Sequence, residues 1–377
     1  MNKTATNKVC HFTTVHPRYD TRVFVKECKS LARNGYDVTL IVADGQGDEI
    51  KDGVQILDIG SYSGRFQRVI SFSKKIYQKA ISLNADIYHF HDPELLYVGK
   101  KLAKKGKKVI YDAHEDVPRQ LLTKAYIPSI FKSTLSRLFE KYEDNIASKL
   151  AGIATATPFI RDRFLSNNPM AVEIQNFPFI AEFTTAPEAG DKAKDNHICY
   201  VGAISKVRGF PTIVDALEYA GNVELLLGGK FESEELRSLT TQSKGWSKVS
   251  ELGFLSRKDV SQTLMKSVAG LVVLEPTINY LDSIPVKMFE YMAAGIPVIA
   301  SDFEYWRSLI QDLDCAIFVD PKDPASIGKA INELVSDKER AKAMGSRGKA
   351  AVLEKFNWAN EERKLLDFYE RVLLAND

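Results

Sequence analysis

Short apolar runs alternate along this chain with stretches whose apolar positions recur every three to four residues. Val9–Thr13, Asp37–Ala43, Val54–Asp58, Asp86–His91, Lys108–Asp112, Gly152–Ala156 and Val172–Gln175 read as strands. Near-continuous apolar runs of this length suit strands buried on both faces. Arg22–Asn34, stopped by Gly35, then Arg65–Leu83, Leu95–Lys105 and the stretch 127–149 read as helices. From Asn176 to Asn196 the period is lost in a segment rich in Pro, Ala, Thr and charge, which predicts a linker or domain edge. The alternation resumes with strands over 197–201, 223–227, 249–251, 270–274 and 297–301 and helices over 210–219, 232–242, 257–267 and 285–294. Such alternation implies a parallel sheet covered on both faces. The pattern therefore predicts an α/β protein with two doubly wound, Rossmann-like domains, 1–180 and 195–355, and a closing helix over 356–377. Ligands of these sheets bind at the carboxyl ends of the strands, so the expected crevice lies where the two halves face each other.

Composition narrows the classes. With 377 residues, 45% hydrophobic and 27% charged, the chain is an ordinary globular one, which excludes disordered, collagen-like and coiled-coil chains. Cys10, Cys28, Cys199 and Cys315 lie far apart without a C-x-x-C, so neither a disulfide scaffold nor a zinc ribbon is expected. No apolar run approaches the ~18 residues of a membrane span. The polar opening MNKTATNK predicts no signal peptide, and a cytoplasmic location is expected. The net charge of +2 conceals an asymmetry: residues 1–190 hold 27 basic and 21 acidic residues, whereas 191–377 hold 24 and 28. A basic first half predicts an anionic partner on that side only.

The densest chemistry lies in LEPTINYLDSIPVKMFEYMAAGIPVIASD, residues 274–302. A strand ends at Glu275, a polar loop follows, and a helix begins near Pro285, where a missing N–H is harmless. The free N–H groups of such a helix start hold phosphate readily. Asp282 precedes the helix and Glu290 lies inside it, two carboxylates able to accept from sugar or ribose hydroxyls. Taken alone, the pair reads equally as a capping Asp and a surface Glu.

In context the segment resembles the nucleotide-sugar signature of the retaining glycosyltransferases of family four, which have the GT-B fold. That family's acid, seven residues, Glu, then A-x-G-x-P-V-I-A-S stands here as Asp282, Glu290 and Ala293–Ser301, with Asp in place of the usual first Glu. The resemblance implies that Glu290 binds the donor ribose and Asp282 lies by the transferred sugar. Ser283, Ile284, Pro285 and Lys287 would line the pyrophosphate and sugar. YVGAISKVRGF, residues 200–210, matches the family's V-G-x-x-x-x-x-[KR]-G, which places Gly202 and the phosphate-binding Arg208. The family's second Arg is replaced by Ala203, leaving Lys206 or Lys287 to supply that cation. LGGKF and ELGFL match strand ends flanking the base and bring in Gly229 and Phe254.

The first half resembles a bacterial branch of the family that builds cell-surface polysaccharides. HPRYD, residues 16–20, replaces the usual Gly-Gly pair, so His16, Arg18, Asp20 and Arg22 are expected at the acceptor. HFHDP ends on the family's H-x-H, which implies that His91 approaches the donor sugar and phosphate. YDAHED adds His114 and Glu115 to the acceptor side. Metal ligation by His89, His91 and His114 is set aside, because no matching acidic cluster accompanies them. The resemblance implies no metal or other cofactor for transfer. The closing helix, with Trp358, Leu365, Leu366, Tyr369 and Leu373 at helical spacing, crosses back to the first domain in that fold.

On a helical wheel Phe66, Val69, Ile70, Ile76, Tyr77, Ala80 and Ile81 form one apolar face, and Arg65, Arg68, Lys75 and Lys79, with Phe72 among them, form a basic stripe. With the lysines of 100–108 and the mixed stretch 126–142, this predicts peripheral docking on an anionic inner-membrane surface. A core helix with a solvated basic face is the plain alternative. No recognition motif supports nucleic acid. The expected activity is retaining transfer of a sugar from a nucleoside diphosphate to a lipid-linked or soluble saccharide, in O-antigen or related polysaccharide synthesis. The alternatives are a nucleotide-sugar epimerase of the same fold and a catalytically silent nucleotide-sugar-binding subunit.

Overall fold

Fourteen strands form two separate sheets among the residues described by the computed structural model, 6–124, 126–184 and 196–375. The first sheet holds β1 (Lys8–Phe12), β2 (Asp37–Val42), β3 (Glu49–Lys51), β4 (Val54–Asp58), β5 (Ile87–Phe90), β6 (Lys108–Ala113), β7 (Gly152–Thr155) and β8 (Ala171–Glu173), in the order β3-β4-β2-β1-β5-β6-β7-β8. Only the β3–β4 pair is antiparallel. That short hairpin escapes the sequence pattern because Glu49–Lys51 is too short and polar to show a period. The second sheet holds β9 (His197–Val201), β10 (Glu224–Gly228), β11 (Val249–Gly253), β12 (Ala269–Val272), β13 (Val298–Ser301) and β14 (Ala316–Val319), all parallel, in the order β11-β10-β9-β12-β13-β14.

The chain divides into one unit of Met1–Asn176 with Ala359–Asp377 and another of Phe177–Trp358. Each has its own apolar core: Phe12, Tyr88, Phe90 and Tyr111 in the first, Tyr200, Phe210, Phe289 and Trp306 in the second. The expected linker behaves otherwise where it is described. Phe177 and Phe183 are buried in the second unit's core, and Ala181–Thr184 is helical; residues 185–195 of that stretch lie outside the described residues. The final helix, Trp358–Leu374, buries Leu365, Phe368, Tyr369 and Val372, while Leu366 and Leu373 are half-buried. Phe368 reaches β7 at Gly152, where a Cβ would lie 2.6 Å from its ring.

Three helices depart from their sequence reading. The first is π-wound over Thr21–Cys28 and α-helical only over Lys29–Arg33. Asp20 caps it, accepting from the Arg22 and Val23 amides. The wider turn places Arg22, Lys26 and Glu27 all on the buried side. The stretch 65–83 is three segments, Arg65–Gln67, a π-turn over Arg68–Phe72, and Ser73–Ser82. Phe72 consequently falls in the core rather than on the basic stripe, and Arg68 pairs with Glu94 at 2.8 Å. In the predicted helix 127–149, Pro128 precedes Ser129–Ala147, and a separate helix, Val117–Thr123, goes before it. Among the described residues no helix is long and apolar enough to cross a membrane.

Candidate active site

In the second unit, two strands are followed by glycines that share backbone space. Gly202 follows β9 with φ +132°, and Gly229 follows β10 with φ +150°. A Cβ on Gly229 would fall 1.9 Å from the Gly202 carbonyl oxygen, so only glycine admits this approach. Next, Lys206–Arg208 makes one tight turn, and Gly209, at φ +67°, starts the helix Phe210–Ala216. A Cβ there would lie 2.0 Å from the Val273 carbonyl oxygen, which explains why position 209 takes only glycine.

Two cations converge on Gly202. Its missing Cβ would stand 3.3 Å from Lys287 Nζ and 3.8 Å from Arg208 Nη1. Lys287 is the second residue of the helix Val286–Ala293. Its Nζ is buried, has no hydrogen-bond partner among the described residues, and sits 3.8 Å from the centre of the Tyr200 ring. Burial, helped by the Arg208 charge and opposed by Glu290, pushes this ammonium down to about 7. A buried donor with no acceptor, beside a guanidinium and at a helix start, can hold an anion. Glu290, on the same helix, accepts from Arg257 Nη2 at 2.8 Å, and Arg257 also pairs with Glu182. Asp282 is exposed after the short helix Ile278–Leu281, and Ser283 is pinned through its carbonyl by Trp306 Nε1 at 2.8 Å. Ile284 packs at the core edge, Pro285 caps the helix, Lys206 is exposed, and Phe254 is 90% exposed beyond β11.

Of the expected donor residues, the fold thus gathers Gly202, Gly229, Arg208, Lys287 and Glu290. Arg257 and Tyr200 escaped the sequence reading. Arg257 had a local signal, since the capping box Ser256–Asp259 sets the start of its helix, but its partner is 33 residues away.

In the first unit, the polar groups cluster where β1, β5 and β6 end. Asp112 is fully buried and accepts from Arg22 Nε at 2.9 Å, Arg22 Nη2 at 2.8 Å, His114 Nε2 at 2.8 Å and His91 Nδ1 at 3.1 Å. Burial alone would raise its carboxyl, but Arg22 and the two histidines outweigh this and hold it well below the usual range. His91 is buried, with its other ring nitrogen 2.9 Å from His11 Nδ1, and burial pushes it down to about 4 against the pull of Asp112. The partly open groups are His114 and His16, whose rings are 4.8 Å apart. Burial would lower His16, but Asp20, at 3.5 Å, and Asp92, at 3.6 Å, raise it overall. Glu115 is exposed beside Gln120. Arg18 is engaged elsewhere: its buried guanidinium holds Asp44 through two bonds, Glu49 and the Gly47 carbonyl, fixing the loop before β3.

Comparison with known proteins covers both units. Residues 21–174 match the description Glycosyltransferase Family 4, and residues 183–351 match Glycosyl transferases group 1. A phosphatidyl-myo-inositol mannosyltransferase of Mycobacterium leprae is 25% identical over 325 residues, covering 82% of this chain and 81% of its own. Sucrose-phosphate synthase from Thermosynechococcus elongatus superposes with a TM-score of 0.80 at 15% identity, over 98% of this chain and all of that one. Anabaena HepE, in complex with UDP and glucose, superposes at 0.75 with 15% identity, over 97% of this chain and 99% of its own.

Proposed function

From a chain that carries a Glycosyltransferase Family 4 domain and a glycosyl transferases group 1 domain on a GT-B fold, we infer a retaining transferase that moves a sugar from a nucleoside diphosphate to a saccharide acceptor. The observation that carries this reading is the convergence of Arg208 and the unpartnered Lys287 on Gly202, with Glu290 on the same helix as Lys287. Two cations match a diphosphate, and a carboxylate matches the vicinal hydroxyls of a ribose. The UDP bound by HepE supports that class of donor.

In the reaction, the bond between the anomeric carbon and the diphosphate oxygen breaks, and its electron pair stays on the diphosphate. The acceptor oxygen bonds the same face of the anomeric carbon. Its proton passes to the departing phosphate oxygen, which balances the step. Negative charge on the diphosphate grows along this path, so Arg208 and Lys287 stabilise the transition state more than the bound donor. The transfer itself is proposed to need no metal. Asp282 is assigned to the transferred sugar, and His16, His114 and Glu115 to the acceptor. His91 is assigned to holding this acceptor side through Asp112, since both of its ring nitrogens are engaged.

The acceptor is proposed to be lipid-linked and met at the inner membrane face. The name of the Mycobacterium leprae relative supports a lipid-borne acceptor, as does the likeness to WaaG, described as involved in lipopolysaccharide biosynthesis. In the first unit, Phe66 is 79% exposed and Ile70 56%, beside the exposed Arg65. Ile130, Phe131 and Leu138 are exposed on a helix that also carries Lys132, Arg137 and Lys141. Apolar side chains among cations suit an anionic interface.

The test is incubation with a panel of UDP- and GDP-sugars and short saccharide acceptors, followed by chromatography and proton NMR of the product. Release of nucleoside diphosphate with a product of the donor's own anomeric configuration is expected. An isomerised donor would identify an epimerase, and an inverted product would exclude the retaining step.

A further inference from the structure

Five of the chain's six histidines gather in the first unit, at residues 11, 16, 89, 91 and 114. Three of them, His11, His89 and His91, are buried together with Glu27, and each of the four offers a ligand atom within 4.8 Å of the others'. The topology explains the gathering. His11 of β1 is in register with His89 of β5, His91 follows two residues later on the same side, and Glu27 arrives from the π-wound helix.

Each imidazole is held at one nitrogen by a carboxylate or hydroxyl. His91 Nδ1 contacts Asp112 at 3.1 Å, and His89 Nδ1 and His11 Nε2 both contact the Tyr369 hydroxyl, at 2.6 and 3.0 Å. Metal-ligating histidines are steadied in this way, which fixes the tautomer and turns the other nitrogen's lone pair towards the ion. Of those other nitrogens, His11 Nδ1 and His91 Nε2 face each other at 2.9 Å, and His89 Nε2 is buried with no hydrogen-bond partner among the described residues. Neither Glu27 oxygen has a hydrogen-bond partner among them either; Arg22 pairs with one of them at 3.2 Å while giving two bonds to Asp112, and burial with the Asp112 charge outweighs this pair and raises the Glu27 carboxyl. A buried imidazole and a buried carboxylate that both lack a donor leave a place for positive charge.

We propose that His11, Glu27, His89 and His91 bind one divalent transition ion in a closed structural site. Imidazole nitrogen and carboxylate oxygen are both donors that zinc takes, and three of the one with one of the other complete four-coordination without a cysteine. Bonds of about 2.0–2.1 Å would set the ligand atoms roughly 3.3 Å from each other; His11 Nδ1 and His91 Nε2 would part slightly from 2.9 Å, and the other ligands would close in from within 4.8 Å. The ion would pin the first helix to β1 and β5. His91, which also holds Asp112 on the acceptor side, is one of its ligands, but metal content and the Co2+ spectrum read the site without any transfer, so this inference holds or fails independently of the proposed activity.

The test uses the full chain, purified without a metal-binding tag. One zinc per chain is expected by elemental mass spectrometry. Protein stripped with a chelator is expected to take up Co2+ with the intense visible bands of tetrahedral coordination. Glu27→Gln and His89→Ala should abolish both signals, and Tyr369→Phe should weaken zinc binding about 10–100-fold. His197→Ala, in the second unit, should leave them unchanged. Lack of stoichiometric uptake by the unaltered protein overturns the proposal, as does retention by Glu27→Gln or loss in His197→Ala. If Glu27→Gln does not fold, His89→Ala and the Co2+ spectrum of the unaltered protein decide.

Discussion

Arg257 Nη2 donates to Glu290 Oε1 at 2.8 Å, so the carboxylate assigned to the donor ribose already holds a guanidinium. The pair is lopsided in burial: the Arg257 side chain is about half exposed, that of Glu290 only 13%. A half-exposed ion pair contributes about 0–1 kcal/mol, so a ribose can displace or share it at little cost.

Removing one or the other should therefore act very differently. Glu290→Gln replaces two acceptor oxygens with one and is expected to weaken nucleotide-sugar binding ten- to a hundredfold, from charge-assisted bonds of about 1.5–3 kcal/mol. Arg257→Ala should shift the same affinity by less than about fivefold. Calorimetry with the preferred nucleotide sugar reads both. Equal losses in the two variants would place Arg257 in the donor contact itself.

Lys287 sets function against stability. Its ammonium is pushed down to about 7, whereas the unfolded chain keeps that proton to about 10.4. Between these values the unfolded state binds more protons, so this group makes folding stability rise with pH. Lys287→Met should thus stabilise the second unit most below pH 7, and the gain should shrink towards pH 10. The same variant should lose turnover, and together with Arg208→Ala abolish it, while Lys206→Ala should stay near the unaltered rate. Donor affinity of the unaltered protein should fall as pH rises above about 7, where Lys287 loses its charge. Affinity flat with pH would remove Lys287 from the phosphate.

Asp112→Asn should be severely destabilising. It leaves the buried Arg22 charge without its two-bond partner, a change that typically costs about 3–5 kcal/mol. Urea denaturation measures this, and a loss under about 1 kcal/mol would mean that Glu27 takes over as the Arg22 counter-ion.

Membrane binding should depend on the exposed pair Phe66 and Ile70 and on Arg65, but not on Arg68, which Glu94 already neutralises. Vesicles containing anionic lipid should retain more protein than neutral ones, and salt should release it as the Debye length falls from about 10 Å at 0.1 M to about 3 Å at 1 M. Phe66→Ser with Ile70→Ser and Arg65→Glu should abolish retention and spare transfer to a short soluble acceptor. Equal retention by neutral vesicles would exclude an electrostatic mode.

Local pattern was enough for much of this protein. Apolar runs and amphipathic stretches, each settled within some ten residues, announced two parallel-sheet units, and the spacing from Asp282 to Glu290 and the Arg208-Gly209 order pointed to the residues proposed for the donor. Those features are legible because backbone periodicity and a glycine's φ are properties of neighbouring residues. What the tertiary structure alone decided is which charged groups meet. Lys287, 84 positions on from Ala203, stands beside Arg208 at Gly202 because the helix start it occupies is carried to the end of β9. Arg18 and Arg22 lie four residues apart in the sequence, yet one is engaged by Asp44 and Glu49 and the other by Asp112. The separate stretches that hold His11, His89, His91 and Glu27 give no sign of their meeting until strand order sets β1 beside β5 and the π-wound turn rotates Glu27 inward. Pairing across a sheet depends on register and topology, and these are settled by packing of the whole unit, not by any one stretch of chain.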